Sequence, residues 1–118
     1  MNVTTERKDD VISILTSGRV DGVNAPQFEE AARAAIKDND RAVIMDFENV
    51  TYISSTGLRA LLMLIRDLLR REIAVSLCAM SDSVRNVVRI GGFDKLIPTH
   101  PSRTAALASL GVRADGES

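Results

Sequence analysis

Apolar residues along this chain change spacing several times, and each change marks an element. Val11-Ile12-Ser13-Ile14-Leu15 is rich in β-branched residues and follows the polar group Lys8-Asp9-Asp10, so residues 3–15 are expected to hold a β-hairpin. Asn24 stands where it would cap a helix, with Pro26 in the first turn, Glu29 and Glu30 near its positive end and Lys37 near its negative end. Phe28, Ala31, Ala32, Ala35 and Ile36 supply that helix's apolar face. Residues 42–47 and 73–78 are short apolar runs of strand length, and between them Leu58, Leu61, Leu62, Ile65, Leu68 and Leu69 recur at helical spacing. Strand, helix and strand in that order predict a parallel crossover, whose strands need cover on both faces. Leu62 is assigned to the buried stripe of the long helix, so Leu62→Asp is expected to unfold the domain.

Farther on, Ser81 or Ser83 opens a helix in which Val84, Val87 and Val88 share a face, and Gly91-Gly92 ends it. Leu96-Ile97 is a brief apolar patch before Pro98 and Pro101. Ser102 then caps a short helix carrying Ala106, Leu107 and Leu110, and residues 111–118 read as a frayed tail. With no internal repeat or linker, the 118 residues are expected to form one domain with its core at about 11–110.

Composition removes several classes of function. A net charge of −1 gives no global attraction to nucleic acid or to anionic membranes. The first ten residues lack the apolar stretch of a secretory signal, and nowhere do about 18 apolar residues run together, so a cytoplasmic protein without membrane insertion is expected. Cys78 is the only cysteine and lies in a strand-like run, which makes it a core thiol rather than half of a disulfide. His100, the only histidine, is expected in a solvated loop; one His and one Cys do not make an ordinary zinc site. No phosphate-binding loop of the Gly-x4-Gly-Lys-Ser/Thr type occurs, and no cofactor is implied.

The chemistry that remains gathers at Ser54-Ser55-Thr56-Gly57, between the strand-like run and the long helix. One hydroxyl there suffices to cap a helix, and neither serine has Glu or Gln three residues later, so no capping box occupies the others. Two readings stay open: an over-supplied cap, or a phosphate acceptor stabilised by the positive helix end. Ser55 as a hydrolytic nucleophile is poorly supported, because Gly-x-Ser-x-Gly is absent and His100 is the only imidazole available as a base. Gly18-Arg19-Val20-Asp21-Gly22 occupies a second strand-to-helix boundary, and such loops gather at the C-terminal ends of strands, where α/β binding sites lie. Asp21 reads there as a turn residue or a binding group. Arg59, Arg66 and Arg70 form a polar stripe, with Arg71 beside it, that is either solvated or presented to a partner.

Val50-Thr51-Tyr52-Ile53-Ser54-Ser55-Thr56-Gly57-Leu58 resembles the most specific motif of the STAS domain, in particular of bacterial anti-sigma factor antagonists. Gly18-Arg19-Val20-Asp21 with Asn24-Ala25 is similar to that family's early loop, and Val84-Arg85-Asn86-Val87-Val88-Arg89-Ile90-Gly91-Gly92 to its late helix. The resemblance spans about residues 11–110. It implies an α/β domain with a small mixed β-sheet and about four helices, not itself an enzyme. It also implies a switch. The unphosphorylated protein captures an anti-sigma factor serine kinase and releases a sigma factor; the kinase phosphorylates Ser55, and a metal-dependent serine phosphatase restores the hydroxyl.

By the same resemblance Asp21 helps dock the kinase, and Arg19, Asn24, Ser54, Thr56, Gly57, Leu58 and Arg59 complete the partner surface. Many members carry an acidic residue in place of Ser54, which makes Ser54, like Thr56, an alternative acceptor; Glu in place of Arg19 and Gly in place of Arg59 in many members mean that this chain's docking face differs in charge. STAS-like domains also serve as non-switching subunits of lipid-trafficking ABC transporters, the alternative reading.

Overall fold

Strands β1 (Asn2–Lys8) and β2 (Val11–Val20) form the expected antiparallel hairpin. Its turn passes through Asp9 at φ 56°, a left-handed conformation that Asp tolerates better than most residues. The computed structural model describes residues 1–113. Strands β3 (Ala42–Ile53), β4 (Ala74–Cys78) and β5 (Thr99–His100) follow in parallel, giving one mixed sheet in the order β1-β2-β3-β4-β5. Helices α1 (Ala25–Ala35), α2 (Ser55–Arg70), α3 (Asp82–Ile90) and α4 (Arg103–Ser109) pack around it, with a 3-10 turn at Phe93–Lys95.

Both faces of β3 are covered, which is why its first half reads as an unbroken apolar run. Val43, Met45 and Phe47 meet Phe28 of α1, Leu61, Leu64, Ile65 and Leu68 of α2, and Val84 and Val88 of α3 in the larger core. On the alternate positions, Ala42 and Ile44 join Val11, Cys78 and the α4 residues Ala106 and Leu107 in a smaller one. Arg33 of α1 pairs with Asp67 of α2 at 2.6 Å and with Glu29 at 3.1 Å, fixing the two long helices side by side.

Several expectations require correction. The strand expected over residues 42–47 continues to Ile53, because two bulges against β2 break its alternation and leave Glu48, Asn49, Thr51 and Tyr52 exposed. His100 is not in a solvated loop: it is half-buried in β5, its carbonyl accepts the Ala79 N–H at 3.1 Å, and its Nε2 lies 3.5 Å from the Ser109 hydroxyl. Glu29 and Glu30 fall beyond the first turn of α1, so they do not meet its positive end. Val112 is buried in the smaller core and its N–H reaches the Leu107 carbonyl at 3.0 Å, so residues 111–113 fold back; the rest of the expected tail lies outside the described residues.

The buried stripe of α2 is also rotated from its expected position. Leu61, Leu64, Ile65 and Leu68 are fully buried, whereas Leu58 and Leu62 are half-buried flanks and Leu69 is exposed. Leu62 lines a groove with Arg66, Phe93 and Leu96 and is not a deep core position.

One buried carboxylate locks the start of β3. Asp40 accepts Arg7 Nε at 3.0 Å on one oxygen, and Arg7 Nη2 at 2.7 Å and the Lys37 N–H at 2.8 Å on the other. Its side chain is 1% exposed. The Arg7 hydrogen bonds are the main cause holding this carboxyl below the usual range, against the opposing effect of burial. A depressed folded-state pKa stabilises the fold above about pH 4 and is lost as pH falls through the depressed value. Asp40→Asn is therefore expected to cost about 2 kcal/mol at neutral pH. In urea unfolding, the gap between the two proteins should close below about pH 4. A gap that stays constant down to about pH 2 would refute this role.

Candidate functional site

β2 and β3 run on past the end of β4, and their last paired residues are Val20 and Ile53. The chain therefore leaves two adjacent strand ends to make the two loops singled out by sequence. They are joined at once: the Ser54 N–H donates to the Val20 carbonyl at 2.9 Å. Gly57, in the first turn of α2, sits directly over the same carbonyl, where an added Cβ would lie 2.7 Å from the oxygen. A Cβ on Gly22 would come 3.7 Å from the Thr56 side chain. The early loop and the hydroxyl cluster are thus a single surface.

Within the cluster the hydroxyls divide their work. Ser54 has extended backbone and its Oγ accepts the Gly57 N–H at 3.1 Å, so it is the N-cap. Ser55 is the first residue of α2, exposed, and its hydroxyl makes no hydrogen bond among the described residues. Thr56 is exposed beside Gly22. An over-supplied cap therefore describes Ser54 alone and leaves Ser55 chemically free. Leu58 is half-buried against the larger core, and Arg59 is exposed on the next turn.

Asp21 and Asn24 brace the early loop. One Asp21 carboxylate oxygen accepts the N–H groups of Val23 at 3.0 Å and Asn24 at 3.3 Å. The Asn24 amide accepts the Asp21 N–H at 3.0 Å and donates to the Arg19 carbonyl at 2.9 Å. Asn24 occupies the cap position of α1, yet its side chain makes no capping bond because both ends of its amide are used inside the loop. It shapes the surface from within. Asp21, half-buried, keeps its second oxygen outside these bonds.

Two further exposed groups, outside the site residues named from sequence, stand at these loops. Val23 is 93% exposed at the loop tip, and an apolar residue inside a polar turn was the available signal. Tyr52 pairs across the strands with Arg19, whose guanidinium carbon lies 4.3 Å from the ring centroid. That contact fixes Arg19 beside the cluster and needed the β3 bulges to become visible.

No group of three or more His, Cys, Asp or Glu residues suited to a metal occurs among the described residues. Cys78 is buried, and burial, reinforced by Asp46, pushes its thiol up to about 12, so it is neutral and unreactive near pH 7. No helix among the described residues is long and apolar enough to cross a membrane.

This arrangement, a mixed sheet with a capped helix rising from two long parallel strands, has known relatives. Residues 2–106 match the family model of the STAS domain. The chain belongs to the STAS domain family. Over 110 residues it is 33% identical to the provisionally named anti-sigma factor antagonist BtrV of Bordetella bronchiseptica, covering 93% of this chain and 95% of that one. The anti-sigma-B factor antagonist of Staphylococcus aureus is 25% identical over 97 residues, covering 82% and 90%. Among solved structures, an anti-sigma factor antagonist from Mycobacterium paratuberculosis superposes with a TM-score of 0.83 at 28% identity, covering 93% of each chain. This STAS domain therefore sits among antagonist sequences by both measures, with its hydroxyl cluster inside the matched region.

Proposed function

We propose that this STAS domain is a phosphorylation-controlled anti-sigma factor antagonist, acting in the cytoplasm by binding an anti-sigma serine kinase and so releasing a sigma factor. The observation that carries the proposal is the exposed, unbonded Ser55 hydroxyl beside the Asp21 loop, next to a Ser54 committed to capping. The kinase transfers the γ-phosphoryl group of ATP to Ser55 Oγ: the new P–O bond forms as the bond to ADP breaks, and a base on the kinase takes the hydroxyl proton. The domain supplies the acceptor and the docking surface, not the catalytic groups. Asp21, Arg19, Val23, Thr56 and Arg59 surround the acceptor and present the contacts.

Phosphate brings about −1.5 to −2 charges into a surface that must be desolvated on docking. A coupling of roughly 1–3 kcal/mol between modification and binding changes affinity about 5- to 150-fold, enough for partner exchange. A metal-dependent phosphatase resets the switch by hydrolysing the ester.

Incubation with ATP and each anti-sigma-type serine kinase of the same organism, followed by mass spectrometry, tests the proposal. Phosphate is expected on Ser55, and Ser55→Ala is expected to keep kinase binding while losing ATP-driven release. Absence of phosphate from Ser54, Ser55 and Thr56 with every kinase would overturn the switch. So would recovery with a transporter ATPase that is indifferent to Ser55→Ala.

A further inference from the structure

We propose that Arg59 is the internal partner of a phosphate on Ser55, so that modification withdraws a cation from the docking surface as well as adding an anion. The inference rests on Ser55 being the modified residue. Ser55 is the first residue of α2 and Arg59 is four residues along the same helix, a spacing that puts two side chains on one face about 5–6 Å apart at Cβ. Helical side chains lean toward the N-terminus, so Arg59 leans toward Ser55. Both residues are exposed.

Arg59 is also uncommitted. Arg33, Arg70, Arg71, Arg85 and Arg103 each hold a carboxylate, but Arg59 makes no ion pair or hydrogen bond among the described residues. No acidic residue stands in the first turn of α2 to compete for it or to repel the phosphate. Arg66, also unpaired among the described residues, is seven residues beyond Arg59 and too far along the helix to reach Ser55. Arg19 on β2 is engaged with the Tyr52 ring.

The consequence is a two-part change from one reaction. In the unmodified protein the Arg59 guanidinium stands open to a carboxylate of the docked kinase. Once Ser55 carries phosphate, the planar guanidinium has a closer acceptor with three anionic oxygens, and a bidentate pair forms within one turn of helix. A kinase that used Arg59 loses that contact and meets the phosphate in its place.

Phosphoserine inserted genetically at position 55 allows a test without any kinase. Its second ionisation, about pH 6 in the absence of partners, is followed by phosphorus NMR in the full chain and in its Arg59→Gln and Arg59→Lys variants. The other charged or titratable groups around it, Asp21, Arg19 and Tyr52, are common to all three proteins, so their effects cancel. The midpoint is expected to lie lower in the chain that keeps Arg59 than in Arg59→Gln by about 0.3 of a pH unit, the size expected of an exposed i,i+4 pair, and to lose most of that difference in 1 M salt. Arg59→Lys should recover part of it, since lysine keeps the charge without the fork. Equal midpoints for the Arg59 chain and Arg59→Gln would overturn the pairing and leave phosphorylation by a kinase standing; a failed kinase assay leaves this titration unaffected.

Discussion

Leu61→Asp is expected to abolish cooperative unfolding, while Leu62→Asp, one residue along, should leave a folded domain. Leu61 is 0% exposed and packs from α2 into the larger core beneath the sheet. Removing its side chain costs about 2–5 kcal/mol in lost burial and cavity, and a carboxylate left there has no partner. Together these losses are comparable with the whole stability of a domain this size, about 5–15 kcal/mol. Leu62 is only half-buried, at the groove it shares with Arg66. An aspartate there can turn to water near that guanidinium, and the expected cost is about 1 kcal/mol. Thermal melts followed by circular dichroism, with amide NMR spectra of both variants, separate the cases. A normal melting transition in Leu61→Asp would mean that the buried face of α2 is wrongly placed.

The contrast between these leucines shows what the sequence could and could not convey. Helical spacing located α2 and its general apolar side, but the six leucine and isoleucine positions, spread over about a third of the circumference, omit Leu64 and so misplace the centre of the stripe. Only packing against β3 and β4 selects Leu61, Leu64, Ile65 and Leu68. Strand β3 failed differently. Its covered half was legible as an apolar run, whereas over residues 48–52 two bulges break the alternation, and no local pattern announces them. β5 is two residues long, too short for any periodicity, and placing His100 in it required its pairing with Cys78. The geometry of the candidate site was legible where motif and capping chemistry coincide, at the strand-to-helix junction that Ser54 caps. The places of Val23 and Tyr52 beside it come from exposure and from a cross-strand partner, which only the fold supplies.

Gly57→Ala is expected to destabilise the domain by about 2 kcal/mol and Gly57→Val by about 4 kcal/mol, the reverse of what helix propensity alone requires. Within α2, exchanging Gly for Ala should otherwise gain about 1 kcal/mol, because glycine gives up more backbone freedom on folding. Gly57 is kept for space rather than for an unusual backbone conformation. An added Cβ would lie 2.7 Å from the Val20 carbonyl oxygen and 3.0 Å from Ile53 Cγ1, and the first of these neighbours is backbone that cannot turn aside. The same carbonyl receives the Ser54 N–H. Pushing α2 away would therefore strain the bond that ties the helix start to β2, and with it the cap that leaves Ser55 free. Chemical-shift changes should concentrate in residues 20–24 and 52–58, and phosphorylation should fall by more than the loss of folded protein explains. Should Gly57→Ala instead raise the melting temperature, the close contact between the two strand ends would not exist, and the two loops would not form one docking surface.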